Sequence, residues 1–232
     1  MKTISSRQNI WFKRVKDALR EHADEIVIEG PKQVADAIAA GWKPIAVIAK
    51  GAHESAGIEF TPELFDALAE TKSPQNVIGL FRRPESRIPN PGSSILVALD
   101  AIQDPGNVGT IVRLAAAFDC AGVVLLPGCA DAYSPKAIRA SAGAILSVPV
   151  IRSEADELRG AIFYADASGE TTMPPANGAT IVFGSEGSGV SEAIRRRGKP
   201  IAIATSGKVE SLNVAAAAAI LLSKSYEARR GR

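Results

Sequence analysis

The sequence is poor in the residues that build metal centres and disulfide frameworks. Its 232 residues contain only two cysteines and two histidines. Cys120 and Cys129 lie among small apolar residues without the spacing of metal ligands, and His22 and His53 both precede a proline-rich segment. This composition argues against a zinc enzyme and against a disulfide-stabilised fold. We therefore expect no bound metal ion.

Long hydrophobic runs are also missing. No apolar stretch approaches the roughly 18 residues that a membrane-spanning helix requires. The N-terminal stretch MKTISSRQNIWFKRVK lacks the apolar centre of a secretory signal. The apolar fraction of 46% is that of an ordinary globular protein. We expect a cytoplasmic protein without a membrane partner.

An excess of charge of one sign is absent as well, because the formal net charge is only +2. The cations are nevertheless concentrated in three clusters, which comprise Lys2, Arg7, Lys13, Arg14, Lys16 and Arg20, then Arg195, Arg196, Arg197 and Lys199, and finally Lys224, Arg229, Arg230 and Arg232. Any one cluster could be an ordinary solvated surface. Basic clusters on a near-neutral chain are also typical of a defined polyanion-binding face. Together they favour RNA or DNA as a partner.

The segment RRPESRIPNPGSS, at 82–94, interrupts the pattern of apolar residues with three prolines and a glycine. It predicts an interdomain linker, placed at 85–93, between a first domain at 1–84 and a second at 94–232. In the first domain, predicted strands alternate with predicted helices, which indicates a small α/β domain. The strands are expected at 25–30, 44–50 and 76–81, and the helices at 8–22, 31–40 and 62–71.

After the linker, short and continuous apolar runs recur between helical stretches. Runs of this kind are typical of strands buried on both faces of a parallel sheet flanked by helices. The second domain is therefore predicted to be α/β with a parallel sheet. Its strands are expected at 94–100, 122–127, 161–166, 180–184 and 200–204.

Three loops in this domain collect the unusual residues, and the first is DAIQDPGNVGTIVR at 100–113. Asp104, Pro105 and Gly106 predict a tight turn, and Asn107 is a good residue for the N-cap of the helix that follows. Arg113 lies off the apolar stripe of this helix. A lone arginine there is often a surface charge, but the neighbouring glycine-rich loops make it a candidate functional residue.

The second loop is VFGSEGSGVS at 182–191. Its glycine spacing is GxxGxG rather than the GxGxxG of a dinucleotide-binding fold, which disfavours a nucleotide-dependent oxidoreductase. Gly184, Gly187 and Gly189 allow the backbone to wrap around a small ligand, with Glu186 among them. A simple tight turn would need fewer glycines than this.

The third loop is GKVESLNV at 207–214, and it leads into an alanine-rich helix expected at about 211–228. Glu210, Ser211 and Asn213 place hydrogen-bonding groups at the start of that helix. Ser211 or Glu210 alone could be no more than a helix cap. The junction as a whole resembles the strand–loop–helix sites where α/β proteins bind ligands.

The three loops, in this order, resemble the signature motifs N-x-G-x-x-x-R, G-S-E-G-x-G and G-x-V-E-S-L-N-V of the SpoU-type (TrmH-like) RNA ribose 2′-O-methyltransferases of the SPOUT class. The resemblance covers about 94–225. More weakly, ISSRQNIWFK (4–13) and IEGPKQVADAIAAG (28–41) resemble the ribosomal-protein-like substrate-binding domain that often precedes it. One departure is that Ile203-Ala204-Thr205 stands where Ile-Pro-Met is usual, which predicts a looser third loop and weaker donor affinity.

The resemblance implies a parallel sheet with a deep trefoil knot, S-adenosylmethionine as the methyl donor, and a homodimer that completes the active site. It places Arg113, Asn107, Glu186, Ser211 and Asn213 on the catalytic side. The donor contacts would come from Gly184, Ile203 and Leu212, mainly through backbone, and from the turn glycines Gly187 and Gly207.

The expected substrate is structured RNA, with ribosomal RNA favoured over transfer RNA because of the accessory domain. The resemblance leaves open a transfer RNA 2′-O-methyltransferase and a non-catalytic RNA-binding scaffold derived from the same fold. The intact Asn107, Arg113, Glu186 and Asn213 argue against the scaffold.

Overall fold

The computed structural model describes residues 3–21, 24–51, 54, 56–68, 75–170 and 174–231. Its contacts divide the chain into two units. The first comprises Met1–Glu85 with Tyr133–Ile138, and the second comprises Ser86–Ala132 with Arg139–Arg232. The short segment at 133–138, which the sequence analysis assigned to the second domain, thus groups with the first unit. The two histidines, Lys2 and Arg232 lie outside the described residues.

The first unit is built on a mixed sheet. Its elements are β1 (Thr3–Ile4), α1 (Ile10–Glu21), β2 (Glu25–Glu29), α2 (Pro31–Ala39), β3 (Pro44–Lys50), β4 (Ile58–Phe60), α3 (Pro62–Asp66) and β5 (Val77–Arg82). In the described residues the strand order is β1-β4-β3-β5-β2, with β5 antiparallel to both of its neighbours and β4 parallel to both of its own. The predicted α/β character is confirmed. The short strands β1 and β4 were not predicted.

Helix α2 shows how local sequence sets the bounds of an element. Gly30 precedes it with φ 108°, a conformation that L side chains rarely adopt, and Pro31 occupies the first helical position. The helix ends before Gly41, which also has a positive φ of 86°. The helix predicted at 31–40 is therefore confirmed to within one residue. The predicted helix at 62–71 is observed as Pro62–Asp66, and positions 69–71 lie outside the described residues.

The second unit contains the predicted parallel sheet. Its elements are β6 (Ile95–Asp100), α4 (Pro105–Ala117), β7 (Gly122–Leu125), α5 (Pro135–Ser141, which begins in the first unit), β8 (Val150–Arg152), β9 (Ala161–Glu170), β10 (Ala179–Gly184), α6 (Glu192–Arg197), β11 (Lys199–Ile201) and α7 (Val214–Arg230). As described, the strand order is β11-β9-β10-β6-β7-β8, and every pairing is parallel. The sequence missed β8.

The strands in the middle of this sheet are buried along their whole length, as continuous apolar runs predict. All six residues of β6 are buried, and so are all four residues of β7. Helix α4 packs against α7 and buries the apolar stripe that includes Val108, Ile111 and Ala115. The rigid central strands thus fix the positions of the loops that follow them.

Strands β6 and β10 lie side by side at the point where the strand order reverses direction. From β6 the chain continues outward through β7 and β8, whereas β9, β10 and β11 occupy the other side. The last residues of the two central strands, Asp100 and Gly184, are register partners. Ligands of open α/β sheets bind at such a switch point, beyond the carboxyl ends of the strands. The first two motif loops both leave the sheet there.

The described residues offer neither a membrane span nor a metal centre. None of their helices is both long and apolar enough to cross a bilayer, and they contain no group of three or more His, Cys, Asp or Glu that could hold a metal ion. Both cysteines are free. Burial raises the pKa of Cys120 to about 12 and also raises the pKa of Cys129, so neither thiol is a thiolate at neutral pH.

Candidate active site

The three motif loops meet at the carboxylate of Glu186. The side-chain amide of Asn107 donates a hydrogen bond to Glu186 Oε1 at 3.4 Å, and that of Asn213 donates to the same oxygen at 2.9 Å. Asn213 Nδ2 also lies 3.3 Å from Asn107 Oδ1. One residue from each loop therefore takes part in a single polar cluster, here named the Asn–Glu–Asn cluster. The three motif loops therefore converge in space.

Asn213 is held in one orientation because its two side-chain atoms have different tasks. Its Oδ1 accepts hydrogen bonds from the backbone N–H groups of Ala215 at 3.0 Å and Ala216 at 3.3 Å, which caps helix α7. With the oxygen turned to the helix, the amide nitrogen must face Glu186. The carboxylate consequently lies near the N-terminus of α7, where the helix dipole favours a negative charge.

The glycine loop after β10 is closed on itself. Ser185 and Gly189 exchange two backbone hydrogen bonds, of 3.1 Å and 2.9 Å. A Cβ added at Gly184 would lie 2.2 Å from the carbonyl carbon of Gly189, so any side chain there would force the loop open. At Gly187, by contrast, an added Cβ would meet no atom within 4 Å. Gly184 is therefore required by the loop geometry and Gly187 is not.

A buried carboxylate that the sequence analysis overlooked ties this loop to the sheet. Asp100, at the end of β6, is 5% exposed and accepts a hydrogen bond from the backbone N–H of Ser191 at 2.7 Å. The bond joins the far end of the glycine loop to the neighbouring strand. The available signal was an aspartate at the carboxyl end of a continuous apolar strand, which is the usual position for site residues in parallel sheets.

Two adjoining clefts open around the Asn–Glu–Asn cluster. The first, here named the loop cleft, has a volume of about 540 Å³ and is lined by Asn107, Glu186 and Gly187, among others. The second, named the carboxylate cleft, has a volume of about 250 Å³ and lies between the glycine loop and the third loop. Glu186 lines both clefts, so a ligand in one lies next to a ligand in the other.

The carboxylate cleft has acidic and apolar walls. Three carboxylates line it, those of Asp166, Glu186 and Glu210, and its described lining residues include no lysine, arginine or histidine. Phe183 and Leu212 contribute apolar surface. Such a lining suits a ligand that is part cationic and part apolar, and it disfavours a phosphate-bearing ligand.

Most of the predicted site residues lie in these two clefts. Gly184, Ile203, Ser211 and Leu212 line the carboxylate cleft, whereas Asn107 and Gly187 line the loop cleft. Asn213 joins them through its hydrogen bonds to Glu186 and Asn107. Gly207 lines neither cleft and takes a positive φ of 73° within the third loop. The functional roles of all these residues remain predictions.

Arg113 lies apart from the cluster. It is exposed on α4, lines neither cleft, and has no hydrogen-bond or ion-pair partner within the part of the chain that the structure describes. Arg113 follows Asn107 by six positions in the helix, which corresponds to about 9 Å along the axis and about 120° around it. Its guanidinium is therefore available to a partner outside its own chain.

Two predicted helix starts are wrong, and each error has a physical reason. Helix α4 is capped by Asp104, whose Oδ1 accepts from the N–H of Gly106 at 3.1 Å, because Pro105 fills the first helical position. Asn107 is therefore free to face Glu186. The last helix begins at Val214 rather than near 211, because Asn213 is its N-cap, so Ser211 precedes it.

The departure at Ala204-Thr205 is accommodated by a local turn. Thr205 Oγ1 accepts a hydrogen bond from the N–H of Gly207 at 3.4 Å, and Thr205 lines the carboxylate cleft. A threonine side chain that bonds the backbone two residues on is a recognised turn device. Part of the order that a proline would impose is thus supplied by this hydrogen bond.

Comparisons with known proteins identify the family of this chain. The profile of the SpoU rRNA Methylase family matches residues 94–223. The chain is 31% identical, over 245 residues, to the 23S rRNA (guanosine(2553)-2′-O)-methyltransferase RlmP of Bacillus subtilis, with 96% of this chain and 98% of that protein covered. The protein therefore belongs to the SpoU family of RNA methyltransferases, and the predicted family and enzyme class are confirmed.

Solved structures share the fold over nearly the whole chain. An AdoMet-bound rRNA methyltransferase from Sinorhizobium meliloti gives a TM-score of 0.86 at 23% identity, covering 98% of each chain. The SpoU methyltransferase AviRb from Streptomyces viridochromogenes, solved in complex with AdoMet, gives 0.83 at 24% identity, covering 96% of this chain and 98% of that one. These similarities establish the overall fold and confirm the predicted class of parallel α/β sheet.

Proposed function

We propose that this chain transfers the methyl group of S-adenosylmethionine to the 2′-hydroxyl of a ribose in ribosomal RNA. The observation that carries the proposal is the Asn–Glu–Asn cluster, in which one residue from each of the three family motifs meets at the switch point of the parallel sheet. The similarity to RlmP, which covers both chains almost completely, supports 23S ribosomal RNA as the substrate over transfer RNA.

The residues of the carboxylate cleft fit the methyl donor. S-adenosylmethionine supplies an electrophilic methyl group on a positively charged sulfonium. Asp166, Glu186 and Glu210 provide negative charge for that cation and for the amino group of the methionine part, and Phe183 and Leu212 provide apolar surface. A nicotinamide dinucleotide would instead bring a pyrophosphate against three carboxylates. The cleft therefore favours the methyltransferase over an oxidoreductase.

In this proposal the loop cleft receives the ribose. Asn107 and Asn213 hold Glu186 in place, so that the side chains at the boundary of the two clefts are ordered before the RNA binds. Holding the two reactants in adjoining clefts accelerates transfer by positioning. Ser211 lines the carboxylate cleft and is exposed, and in this proposal it faces the incoming nucleotide.

Arg113 is proposed to stabilise charge rather than to remove the proton. A guanidinium keeps its proton far above neutral pH, so removing that proton at pH 7 costs more than about 7 kcal/mol. A fixed positive charge that contacts the flanking phosphate and the developing alkoxide avoids that cost. Because Arg113 lines neither cleft of its own chain, we propose that a second copy completes the site, as the expected homodimer implies. We also propose that the second domain contains the trefoil knot that the family resemblance implies.

We further propose that the first unit holds the RNA substrate and that the protein acts in the cytoplasm. The resemblance of 4–13 and 28–41 to a ribosomal-protein-like domain supports an RNA-binding role for this unit.

Chromatography with light scattering tests the homodimer, since a monomer at the concentrations used for activity assays would contradict it.

The decisive test uses S-adenosylmethionine labelled on the methyl group and an unmodified 23S ribosomal RNA transcript. We expect label in the RNA and one new 2′-O-methyl site on mapping. Calorimetric titration with the donor separates the enzyme from a non-catalytic scaffold, which has no need to bind it. The absence of both donor binding and label transfer would overturn the proposal. Transfer to transfer RNA in place of the transcript would overturn the choice of substrate.

A further inference from the structure

The three basic clusters differ in how far their cations are already engaged. In the middle cluster, Arg195 and Arg197 donate to backbone carbonyls, and Arg196 pairs with Glu192 at 3.0 Å. These hydrogen bonds anchor helix α6 to the rest of its unit. The side chains that the sequence suggested as a polyanion-binding face are thus largely committed within the chain.

The C-terminal cluster is engaged in the same way. Arg229 has a side chain that is only 16% exposed, and it donates to Ser94 Oγ at 2.7 Å and to Asp119 Oδ2 at 3.3 Å. The guanidinium of Arg230 lies over the ring of Tyr226, 5.6 Å from its centroid. These contacts fasten the end of α7 and leave Lys224 as the one described cation of this cluster without a partner.

The cations around helix α1 are different. Arg7, Lys13, Lys16 and Arg20 are exposed and together line a surface cleft of about 360 Å³. Among the described residues, none of the four has an ion-pair partner, and Asp17 is the one acidic residue in the cleft lining. Arg14, on another side of the helix, is by contrast paired with Glu25. The free positive charge of the first unit is therefore concentrated here.

The geometry of α1 presents these cations away from the core. Phe12, Val15 and Ala18 are buried and define the inner side of the helix. At 100° per residue, the mean direction of Lys13, Lys16 and Arg20 lies about 130° from that side. From Lys13 to Arg20 the helix advances about 10 Å, enough to contact more than one phosphate.

An exposed apolar residue extends the same surface. Ile10, at the start of α1, is 70% exposed, one of the few large hydrophobic side chains with so much accessible surface. In the helical projection it lies closer to Lys13 than to the buried residues. Positive charges beside an apolar side chain suit RNA, which offers phosphates together with sugar and base surfaces.

We propose that the exposed face of α1, formed by Ile10, Lys13, Lys16 and Arg20 together with Arg7 just before the helix, is the surface on which the RNA substrate docks. The inference rests on the proposed function and adds to it which of the three basic clusters binds the RNA. The face contacts phosphates, so it contributes affinity and salt dependence rather than choice of nucleotide. The clusters at 195–199 and 224–232 contribute little to docking.

A charge-removal experiment with a matched control tests this surface. The full-length variant Lys13→Gln/Lys16→Gln/Arg20→Gln removes three free cations from α1. The control Lys43→Gln/Arg159→Gln/Lys199→Gln removes two lysines and one arginine that are equally exposed but lie elsewhere. Both variants change the net charge by the same amount. Thermal unfolding monitored by circular dichroism verifies that both are folded.

The measurement is the dissociation constant for the 23S ribosomal RNA transcript as a function of salt concentration. Because each phosphate contact contributes about 0.7–0.9 to the slope of log K against log salt, the α1 variant should lose about 2–3 units of slope. We expect its affinity at moderate salt to fall about tenfold or more. The control should change the slope by less than about one unit, and donor affinity should be unchanged in both variants.

The outcomes separate the docking surface from the proposed function. Equal slopes in the α1 variant and the control would overturn the docking surface while leaving the methyltransferase intact. RNA binding that depends on α1 without any methyl transfer would overturn the proposed function and leave the surface standing. Anionic phospholipid vesicles provide the remaining comparison. If they bind through α1 while the RNA slope of the variant is unchanged, the surface is not an RNA-docking site.

Discussion

Two regions of this protein carry opposite charge for opposite kinds of ligand. The carboxylate cleft of the second unit has three acidic side chains and no basic one among the described residues of its lining, whereas the face of α1 in the first unit has four unpaired cations and a single acid. A net charge of +2 conceals both. Function is therefore carried by the distribution of charge, since a sulfonium cation and an RNA polyanion must be bound by the same chain.

The two regions also differ in how they are built. Several independent contacts hold the carboxylate cleft in one arrangement. Asn213 caps α7 and donates a hydrogen bond to Glu186. Asp100 fastens the glycine loop to the sheet, and the absence of a side chain at Gly184 allows that loop to close. The face of α1 has few internal bonds, and its side chains are exposed. Preorganised polar groups suit chemistry at one atom, while mobile cations suit a long polyanion.

The largest effect is expected from a change at Arg113. We place this cation beside the reacting groups rather than in the carboxylate cleft or on the face of α1. Arg113→Ala should lower turnover by about 100-fold to 1000-fold, the usual cost of removing a group that stabilises developing charge. Donor affinity should remain nearly unchanged, because Arg113 does not line the carboxylate cleft. Single-turnover kinetics and calorimetry measure the two quantities. Parallel losses in both would contradict the separate roles of Arg113 and the cleft.

The glycine loop offers a test of preorganisation with an internal control. Gly184→Ala must displace the backbone of Gly189, so we expect donor affinity to fall about tenfold or more and the protein to lose about 1–3 kcal/mol of stability. Gly187→Ala meets no atom within 4 Å and should leave stability within about 0.5 kcal/mol of the parent. If Gly184→Ala binds the donor normally, the closed loop is not part of the donor site.

The sequence predicted the sheet and the position of the site well, because both depend on strong local signals. Continuous apolar runs predict buried parallel strands, and the glycine and asparagine residues at their carboxyl ends predict the site. The runs at 94–100 and 180–184 correspond closely to β6 and β10. Resemblance to a family then supplied the donor and the reaction, which periodicity alone does not contain.

The sequence did not predict features that depend on tertiary contacts. The roles of Asp104 and Asn213 as caps depend on which of several suitable residues the backbone selects. Asp166 was recognised as a site residue only from the structure, in which it lies on β9 and lines the carboxylate cleft. The basic run at 195–199 suggested an RNA-binding surface, yet the arginines of that run are engaged within the chain. The presence of a charged residue in a sequence does not reveal whether its side chain is already paired within the folded chain.

Asn213 allows structure and catalysis to be separated at one position. Asn213→Ala removes both the helix cap and the hydrogen bond to Glu186, so we expect a loss of about 1 kcal/mol together with a loss of activity. Asn213→Ser retains a capping oxygen but cannot reach Glu186. Its stability should stay within about 0.5 kcal/mol of the parent while its turnover falls like that of the alanine variant. Normal turnover in the serine variant would show that Glu186 needs no positioning by Asn213.

The smallest expected effect concerns Asp166, which sharpens the comparison because it tests charge in the cleft directly. Hydrogen bonds from the side chain and backbone of Ser168 lower the pKa of Asp166, so its carboxylate remains ionised throughout the neutral and mildly acidic range. S-adenosylmethionine carries a sulfonium charge that its demethylated product lacks. Asp166→Asn should therefore weaken donor binding by about threefold to tenfold and affect the product less.

The matched control for this last change is Asp156→Asn, which removes an exposed carboxylate that does not line the cleft. Calorimetry with donor and product, repeated at pH 5 and pH 7, gives the readout. Because the folded-state pKa of Asp166 is depressed, its contribution to donor binding should persist at pH 5 and disappear only as the pH falls through that lowered pKa. Equal weakening of donor and product would mean that Asp166 shapes the cleft without sensing the sulfonium charge.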